Sequence, residues 1–471
     1  MRFRRSSPFI AALASVMLIM PHGAAAETIT GAMAKAYENN PDLNAARAAL
    51  RAIDENVTIA KSAMRPQISG VAQAEATRTL YDKQLCSGTS VGGNCFGSSL
   101  RRSDTFSSAY GLTISQQIFD GFQTLNRVRS AESNVLANRE ALRAEEISTL
   151  LSAAEAYANI ARDQQIVSIR KQNLQFLQEQ LNAAEARLQV GEGTRTDVAQ
   201  AEAELAEAQA LLVRAVAVLK QSEAAYVQIV GEAPEGIKQP SPATRAMPKS
   251  LDQAVAMGLK EHPTILSAQR NVDSAGYNVK AEEGAMLPGV SLQGEVVKSV
   301  NGSSSTNDNL SGTISARVTV PLYQGGAEYG AIRQAKERLG QQRILVDSAR
   351  LEVQRTIVSA HAELEAALAN ITASRSQISA ANQALQGVIE ERNVGQRTTL
   401  DVLNAQQTVL DARESLAIAQ RNAVVASYSL IAATGRLTVA SQNLRVAEYR
   451  SEEHYEAVKD KWFGLRTVDG R

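Results

Sequence analysis

From Gly121 the chain runs to Gly191 without a glycine or proline, and within that stretch apolar residues return at every seventh position: Ile160, Val167, Leu174, Leu181 and Leu188. A seven-residue period keeps an apolar seam on one side of a slightly underwound helix, so it predicts left-handed coiled-coil packing. As one helix the stretch is roughly 100 Å long at ~1.5 Å per residue, too long to fold around a compact core. The same seam returns as Ile357, Leu364, Ile371, Ile378 and Leu385. A shorter heptad helix follows each long one, through Val198, Leu205, Leu212, Leu219 and Tyr226, then through Val402, Val409, Leu416, Ala423 and Leu430. Residues 28–63 and 251–285 each predict one further half-length helix.

Between short and long helices the period changes to two. Phe106, Tyr110, Leu112, Ile114 and Ile118 occupy even positions, and so do Leu310, Ile314, Val318, Val320 and Leu322, with Ser311, Thr313, Ser315, Arg317 and Thr319 between them. The preceding strands, 67–79 and 289–299, are less regular, although Val290, Leu292 and Val296 alternate with Ser291, Gln293 and Glu295. Four strands of about ten residues, apolar on one side and polar on the other, carry the signature of a transmembrane β-barrel. A half-buried sheet in a soluble protein alternates in the same way. Against that, the hairpins lie some 200 residues apart, and no helix has a broad apolar face left to cover a sheet. Four strands cannot close a barrel, for which about eight are needed, and an open edge is not viable in lipid, so closure requires several chains.

These patterns belong to a duplication. Asn40-Pro41 and Met64-Arg65-Pro66 return 222 residues later as His262-Pro263 and Met286-Leu287-Pro288. Thereafter the offset is 204: Phe119-Asp120-Gly121 matches Tyr323-Gln324-Gly325, Thr194-x-x-Asp197-Val198 matches Thr398-x-x-Asp401-Val402, and Gly231 matches Gly435. The copies therefore differ by an 18-residue insertion between Pro66 and Phe119, which is expected to form a loop. The predicted layout is a leader over 1–26, a first repeat over 27–231 with its hairpin at 67–119, and a linker over 232–250. A second repeat over 251–435, with its hairpin at 289–323, and a tail over 436–471 complete the chain. The fold class is mainly α with a small β part.

Composition sharpens the setting. Arg2, Arg4 and Arg5, the apolar run from Phe9 to Met20, and Ala24-Ala25-Ala26 form the pattern of a secretory leader. Its removal after Ala26 leaves 46 basic and 49 acidic side chains without basic runs, which argues against a nucleic-acid partner. Aromatic residues make up only 4% of the chain, which suits closely packed helices better than several globular cores. Cys86 and Cys95, the only cysteines, fall in the insertion; in an exported chain they suggest a disulfide, with a metal site as the alternative. The four histidines have no metal-ligand spacing, and there is neither a Gly-x-Ser-x-Gly nor a phosphate-loop motif, so no catalysis and no cofactor are expected.

The doubled layout, together with the paired turns Val190-Gly191-Glu192-Gly193-Thr194-Arg195-Thr196-Asp197 and Val394-Gly395-Gln396-Arg397-Thr398-Thr399-Leu400-Asp401, resembles the TolC family of outer-membrane export channels. The resemblance covers nearly the whole mature chain. It implies a homotrimer with a twelve-stranded barrel in outer-membrane lipid and a coiled-coil tube extending into the periplasm. It also implies a periplasmic adaptor and an inner-membrane ABC or RND transporter as partners, serving type I protein secretion or multidrug efflux. His454-Tyr455 and Lys461-Trp462-Phe463-Gly464 look like the tail of secretion-type members.

Asp197 and Asp401 sit at capping-box spacing after Thr194 and Thr398. The resemblance adds that these acids line the closed periplasmic aperture, that Arg397 ties it shut, and that Val190, Gly191, Val394 and Gly395, with Thr194 and Thr398, form turns that dock the adaptor. Asn404 stands where the family's pattern has a second acid, which thins the expected ring of charge. Arg392 takes the heptad site that Leu188 fills in the first copy, so it either faces a watery lumen or gate or lays its stem over apolar neighbours. Two other readings compete: a trimeric adhesive or structural outer-membrane coiled-coil protein, in which four strands would be consecutive at the C-terminus, and an exported coiled coil that never enters a membrane.

Overall fold

The structure, a computed structural model, describes residues 27–86, 95–301 and 308–470, except for the side chains of 83–86, 95–99 and 301. The expected leader and the side chains of Cys86 and Cys95 lie outside the described residues. The first repeat contains α1 (Ile29–Asn39), α2 (Pro41–Ser62), β1 (Gln67–Cys86), β2 (Cys95–Phe119), α3 (Gln123–Gln189) and α4 (Arg195–Val230). The second contains α5 (Leu251–Glu261), α6 (Pro263–Gly284), β3 (Gly289–Asn301), β4 (Asn309–Thr319), α7 (Ala327–Asn393) and α8 (Thr399–Ala433). The tail adds α9 (Val439–Gln442) and α10 (Ser451–Val458). Both long helices are unbroken over 67 residues.

Two expectations need correction. The segments 28–63 and 251–285 are not single helices, because each breaks at its proline. Proline has no N–H to donate and pushes the preceding residue out of the helical region. Asn40 accordingly turns extended (ψ 123°) and caps α2 by accepting from Leu43 N at 3.0 Å, and His262 does the same for α6 through Nδ1, 3.3 Å from Thr264 N. The insertion, for its part, is mostly ladder rather than loop. β1 and β2 extend over 20 and 25 residues, against 13 and 11 for β3 and β4, and the backbone register continues from Gln67↔Ser115 to Cys86↔Cys95. Backbone groups in an exposed insertion satisfy one another best by continuing the antiparallel pairing already begun.

The described residues divide into two compact units that cut across the repeats: those within 27–38, 152–242 and 366–425 form one, and those within 39–151, 243–365 and 426–470 the other. The core of the first is a heptad seam, with Leu177, Leu181 and Ala184 packed on Ala201, Leu205, Ala208 and Leu403. Alanine between leucines lets helix axes approach closely, in keeping with the shortage of aromatic residues. In the second unit Ile265, Val353, Ile357, Ala360 and Leu430 make an equivalent cluster. There, Gly121 and Gly284 lie so close that a Cβ on either would fall within 2.4 Å of the other's carbonyl oxygen. The β2–α3 junction and the end of α6 could not meet with larger residues.

The tail is held in the second unit by a stripe on α2 that no hydrophobic pattern announces. Arg47, Arg51, Asp54, Thr58 and Lys61 recur at helical spacing, and Arg65 follows just beyond the helix. Arg47 lies over the Tyr449 ring, Arg51 pairs with Asp469, Thr58 Oγ1 donates to the Val458 carbonyl, and Lys61 Nζ meets Asp460 at 2.7 Å. At its centre Asp54, only 1% exposed, lies 2.9 Å from His454 Nδ1. Burial pushes the Asp54 carboxyl up, against the pull of His454. Removing the imidazole leaves a buried acceptor without this partner, so His454→Ala should cost about 2 kcal/mol of stability. Asp54→Ala added to it should cost less than the sum of the two single changes, as measured by thermal unfolding of the detergent-purified protein.

Candidate functional site

The sheet has the order β1-β2-β3-β4, antiparallel throughout. Its register brings the alternating patterns of all four strands into phase. Ile68, Ile114, Gly294 and Ile314 form one row across the sheet, and Gly70, Leu112, Val296 and Gly312 form another. The opposite face carries rows such as Ser69, Thr113, Glu295 and Thr313, in which the Ser69 and Thr113 hydroxyls lie 2.6 Å apart. Ile68, Leu112, Ile314 and Val318 are all more than 60% exposed, so one whole apolar face stands uncovered.

On β2 the apolar band runs from Phe106 to Ile118. Twelve steps of ~3.4 Å, tilted by ~45°, reach ~29 Å along the membrane normal, against a hydrocarbon core of ~30 Å. Beyond Phe106 the same face turns ionic: Asp104 bonds both Arg78, at 2.9 Å, and Arg102. The extra length of β1 and β2 therefore lies outside the band.

In the other unit, α3 and α7 end in matching turns. Gly191 (φ 81°) and Gly395 (φ 80°) adopt the left-handed conformation that glycine takes without steric cost. Glu192 N donates to the Arg187 carbonyl and Gln396 N to the Glu391 carbonyl, both at 2.9 Å, which satisfies a carbonyl at each helix end. A Cβ at Gly191 or Gly395 would meet nothing within 4 Å, so the glycines answer to the backbone and the space around them is open. Val190 and Val394, each 71% exposed, stand beside these turns.

The next helices begin with equivalent caps. Thr194 Oγ1 accepts from Asp197 N at 3.2 Å, and Asp197 Oδ2 accepts from Thr194 N at 3.0 Å. Thr398 and Asp401 repeat this at 3.2 and 2.9 Å. The Thr194 hydroxyl and amide hold the Asp197 carboxyl below its ordinary value, and the Thr398 amide and hydroxyl do so for Asp401. The Thr399 side chain and the Arg187 cation lower the Asp197 carboxyl further.

The remaining candidates are held within the chain. Arg397 Nε pairs with Glu391 Oε2 at 2.8 Å inside its own turn. Arg392 is half-buried: Nη1 donates to Gln180 Oε1 of α3 at 2.7 Å, and burial together with Arg187 lowers its pKa. Asn393 Oδ1 accepts from both Arg187 and Arg392, at 3.3 and 3.4 Å, and so joins the two tips. Asn404 is exposed, and its carbonyl accepts from Thr408. Arg187, Gln180 and Asn393 carry no signal in the sequence because each pairs across helices rather than within a motif, and Glu391 carries none because its partner Arg397 lies beyond the helix end. Above them, Gln406 bonds Asn173 at 2.9 Å, and Arg170 Nη2 donates to Glu414 Oε2 at 2.9 Å while its Nε lies 2.9 Å from Oε1, adding a polar ladder to the seam.

A family model described as outer membrane efflux protein matches residues 32–232 and 255–436, one segment in each repeat. The chain belongs to the outer membrane efflux protein family. The outer membrane efflux protein BepC of Brucella suis biovar 1 is 47% identical over 98% of this chain and 97% of its own. Outer membrane protein TolC of Vibrio cholerae is 24% identical over 81% of this chain and 84% of its own. The CmeC outer membrane channel of Campylobacter jejuni shares the fold, with a TM-score of 0.72 at 16% identity over 92% of this chain and 89% of that one. The family places the protein in the outer membrane, with a large periplasmic helical part, as a passive channel of an export system and not an enzyme. The adhesin and soluble coiled-coil readings fall away.

The depressed carboxyls set a pH dependence for the tips. A carboxyl whose folded pKa lies below 3.8 contributes stability above that value and loses it as pH falls through the folded pKa. Asp401→Asn should therefore lower the melting midpoint at neutral pH and leave it unchanged well below pH 3.8, as measured by circular dichroism.

Proposed function

We propose that three copies of this chain assemble into one duct, in which twelve strands cross the outer membrane and the α3–α4 and α7–α8 tips close the periplasmic end. The observation that carries this reading is the sheet itself. Its apolar rows are in phase across all four strands, yet β1 and β4 each have a partner on one side only. The helices support it: Ile344 and Leu351 on α7 are 69% and 68% exposed, and the seam residues Leu364, Ile371, Ile378 and Leu385 are only half-buried within one chain.

At the tips, Arg397 with Glu391 and Arg392 with Gln180 and Asn393 hold the second coil, while Asp197 and Asp401 would each become a ring of three around the axis. Val190 and Val394, exposed beside open glycine turns, fit docking by the helical tips of a periplasmic adaptor. The adaptor would couple the duct to an inner-membrane ABC or RND transporter that supplies the energy. A protein cargo and a small-molecule cargo both suit a passive duct.

Purified in detergent, the channel should have three times the mass of the mature chain and conduct in a planar bilayer; a soluble monomer would contradict the duct. Arg397→Ser or Asp197→Ala should raise single-channel conductance several-fold. Unchanged conductance with a lowered melting midpoint would leave those residues a capping and pairing role alone.

A further inference from the structure

The tail presents an apolar surface that the duct does not use. It follows the α2 stripe as far as Arg65, where Nη1 donates to the Lys461 carbonyl at 2.9 Å and the guanidinium lies 4.7 Å from the centre of the Trp462 ring. Arg65 stands two residues before β1, and Gln116 Nε2 donates to the neighbouring Met64 carbonyl at 3.4 Å. The end of the tail is thus held at the periplasmic end of the apolar band, level with the last residues of β2.

There the chain makes a tight loop. Lys461 Nζ donates to the Arg466 carbonyl at 2.8 Å, and Gly464 takes a positive φ of 114°. Closing the loop in this way turns its apolar side chains outward: Trp462 is 57% exposed, Phe463 86%, and Leu465 fully exposed. Adjacent apolar side chains left in water are an association liability. At a membrane boundary the same set, flanked by Arg65, Lys461 and Arg466, has the composition of an interfacial anchor: aromatic rings at headgroup depth and long cationic stems reaching the phosphates.

We propose that Trp462, Phe463 and Leu465 insert at the headgroup–acyl boundary of the periplasmic leaflet of the outer membrane, with Arg65, Lys461 and Arg466 facing the lipid phosphates. The proposal rests on the four strands spanning that membrane, since their apolar band fixes the level at which the loop sits. Strapped along α2, the tail then ties the first repeat's short helix to the lipid surface.

Trp462 is the only tryptophan in the chain, so intrinsic fluorescence reports on this loop alone. The full-length channel is reconstituted into vesicles of phosphatidylethanolamine and phosphatidylglycerol, and only protein that floats with the vesicles is read. With acyl chains brominated close to the headgroup, Trp462 emission should lose most of its intensity, and aqueous acrylamide should have little effect. Undiminished emission in brominated vesicles would overturn the proposal, whether acrylamide then quenches the ring, placing it in water, or fails to, placing it against another protein chain. The double variant Phe463→Ser/Leu465→Ser keeps Trp462 over Arg65 and should show weaker bromine quenching. Quenching as strong as in the parent would contradict an anchor built from all three residues.

Discussion

The structure depends on backbone groups that one chain leaves unpaired. β1 and β4 are the outer strands of the sheet, and the hydrocarbon of a bilayer offers their free N–H and C=O groups no partner, at a cost of several kcal/mol for each. An outer-membrane protein with this sheet must find further strands, and the in-phase apolar face determines which side of the completed ladder meets lipid. The coiled coils make a parallel demand. The α3 seam is buried within the chain at Ile160, Val167 and Leu181, whereas the α7 seam is only half covered at Leu364, Ile371 and Ile378. Leu174 and Leu188 of α3 are half covered as well and Ile357 of α7 is buried, so both long helices leave part of the seam to a neighbour and α7 leaves more.

The two repeats keep this scheme in common and depart from each other where each meets something different. The α2 stripe has no counterpart in α6, where Gln269, Asp273, Gly276, Lys280 and Glu283 stand at the positions of Arg47, Arg51, Asp54, Thr58 and Lys61. The tail therefore has one docking helix, selected by charge and by the buried Asp54–His454 contact. At the tips, Gly193 of the first copy corresponds to Arg397 of the second. A Cβ at Gly193 would lie 3.1 Å from Leu188 N, whereas the second turn opens enough to carry an arginine that reaches Glu391. In the sheet, the longer first hairpin continues past the apolar band into the Arg78–Asp104–Arg102 cluster.

What the sequence revealed follows from physical period. The heptads, the alternating strands and the Thr-x-x-Asp caps are local patterns set by helix and strand geometry, and each appears in the structure. The breaks at Pro41 and Pro263 are equally local, since each proline gives up its N–H and turns the residue before it extended. The ladder through the insertion was hidden because residues 78–104 mix Arg, Asp and Ser on both faces, and pairing there rests on the backbone. The contacts of Arg392 with Gln180, of Arg187 with Asn393 and of His454 with Asp54 join residues 200 to 400 positions apart. No period links such residues, and only the folded chain brings them together.

In the proposed duct the even-numbered face of the sheet meets lipid and the odd-numbered face meets water. Nitroxide labels placed singly at positions 106 to 118 of the reconstituted channel test it directly, through their collisions with oxygen dissolved in the bilayer and with a water-soluble nickel chelate. A period of two is expected, with oxygen favoured at 108, 110, 112, 114 and 116 and the chelate favoured at 109, 111, 113 and 115. Uniform access of the chelate along the strand, or the opposite phase, would contradict it.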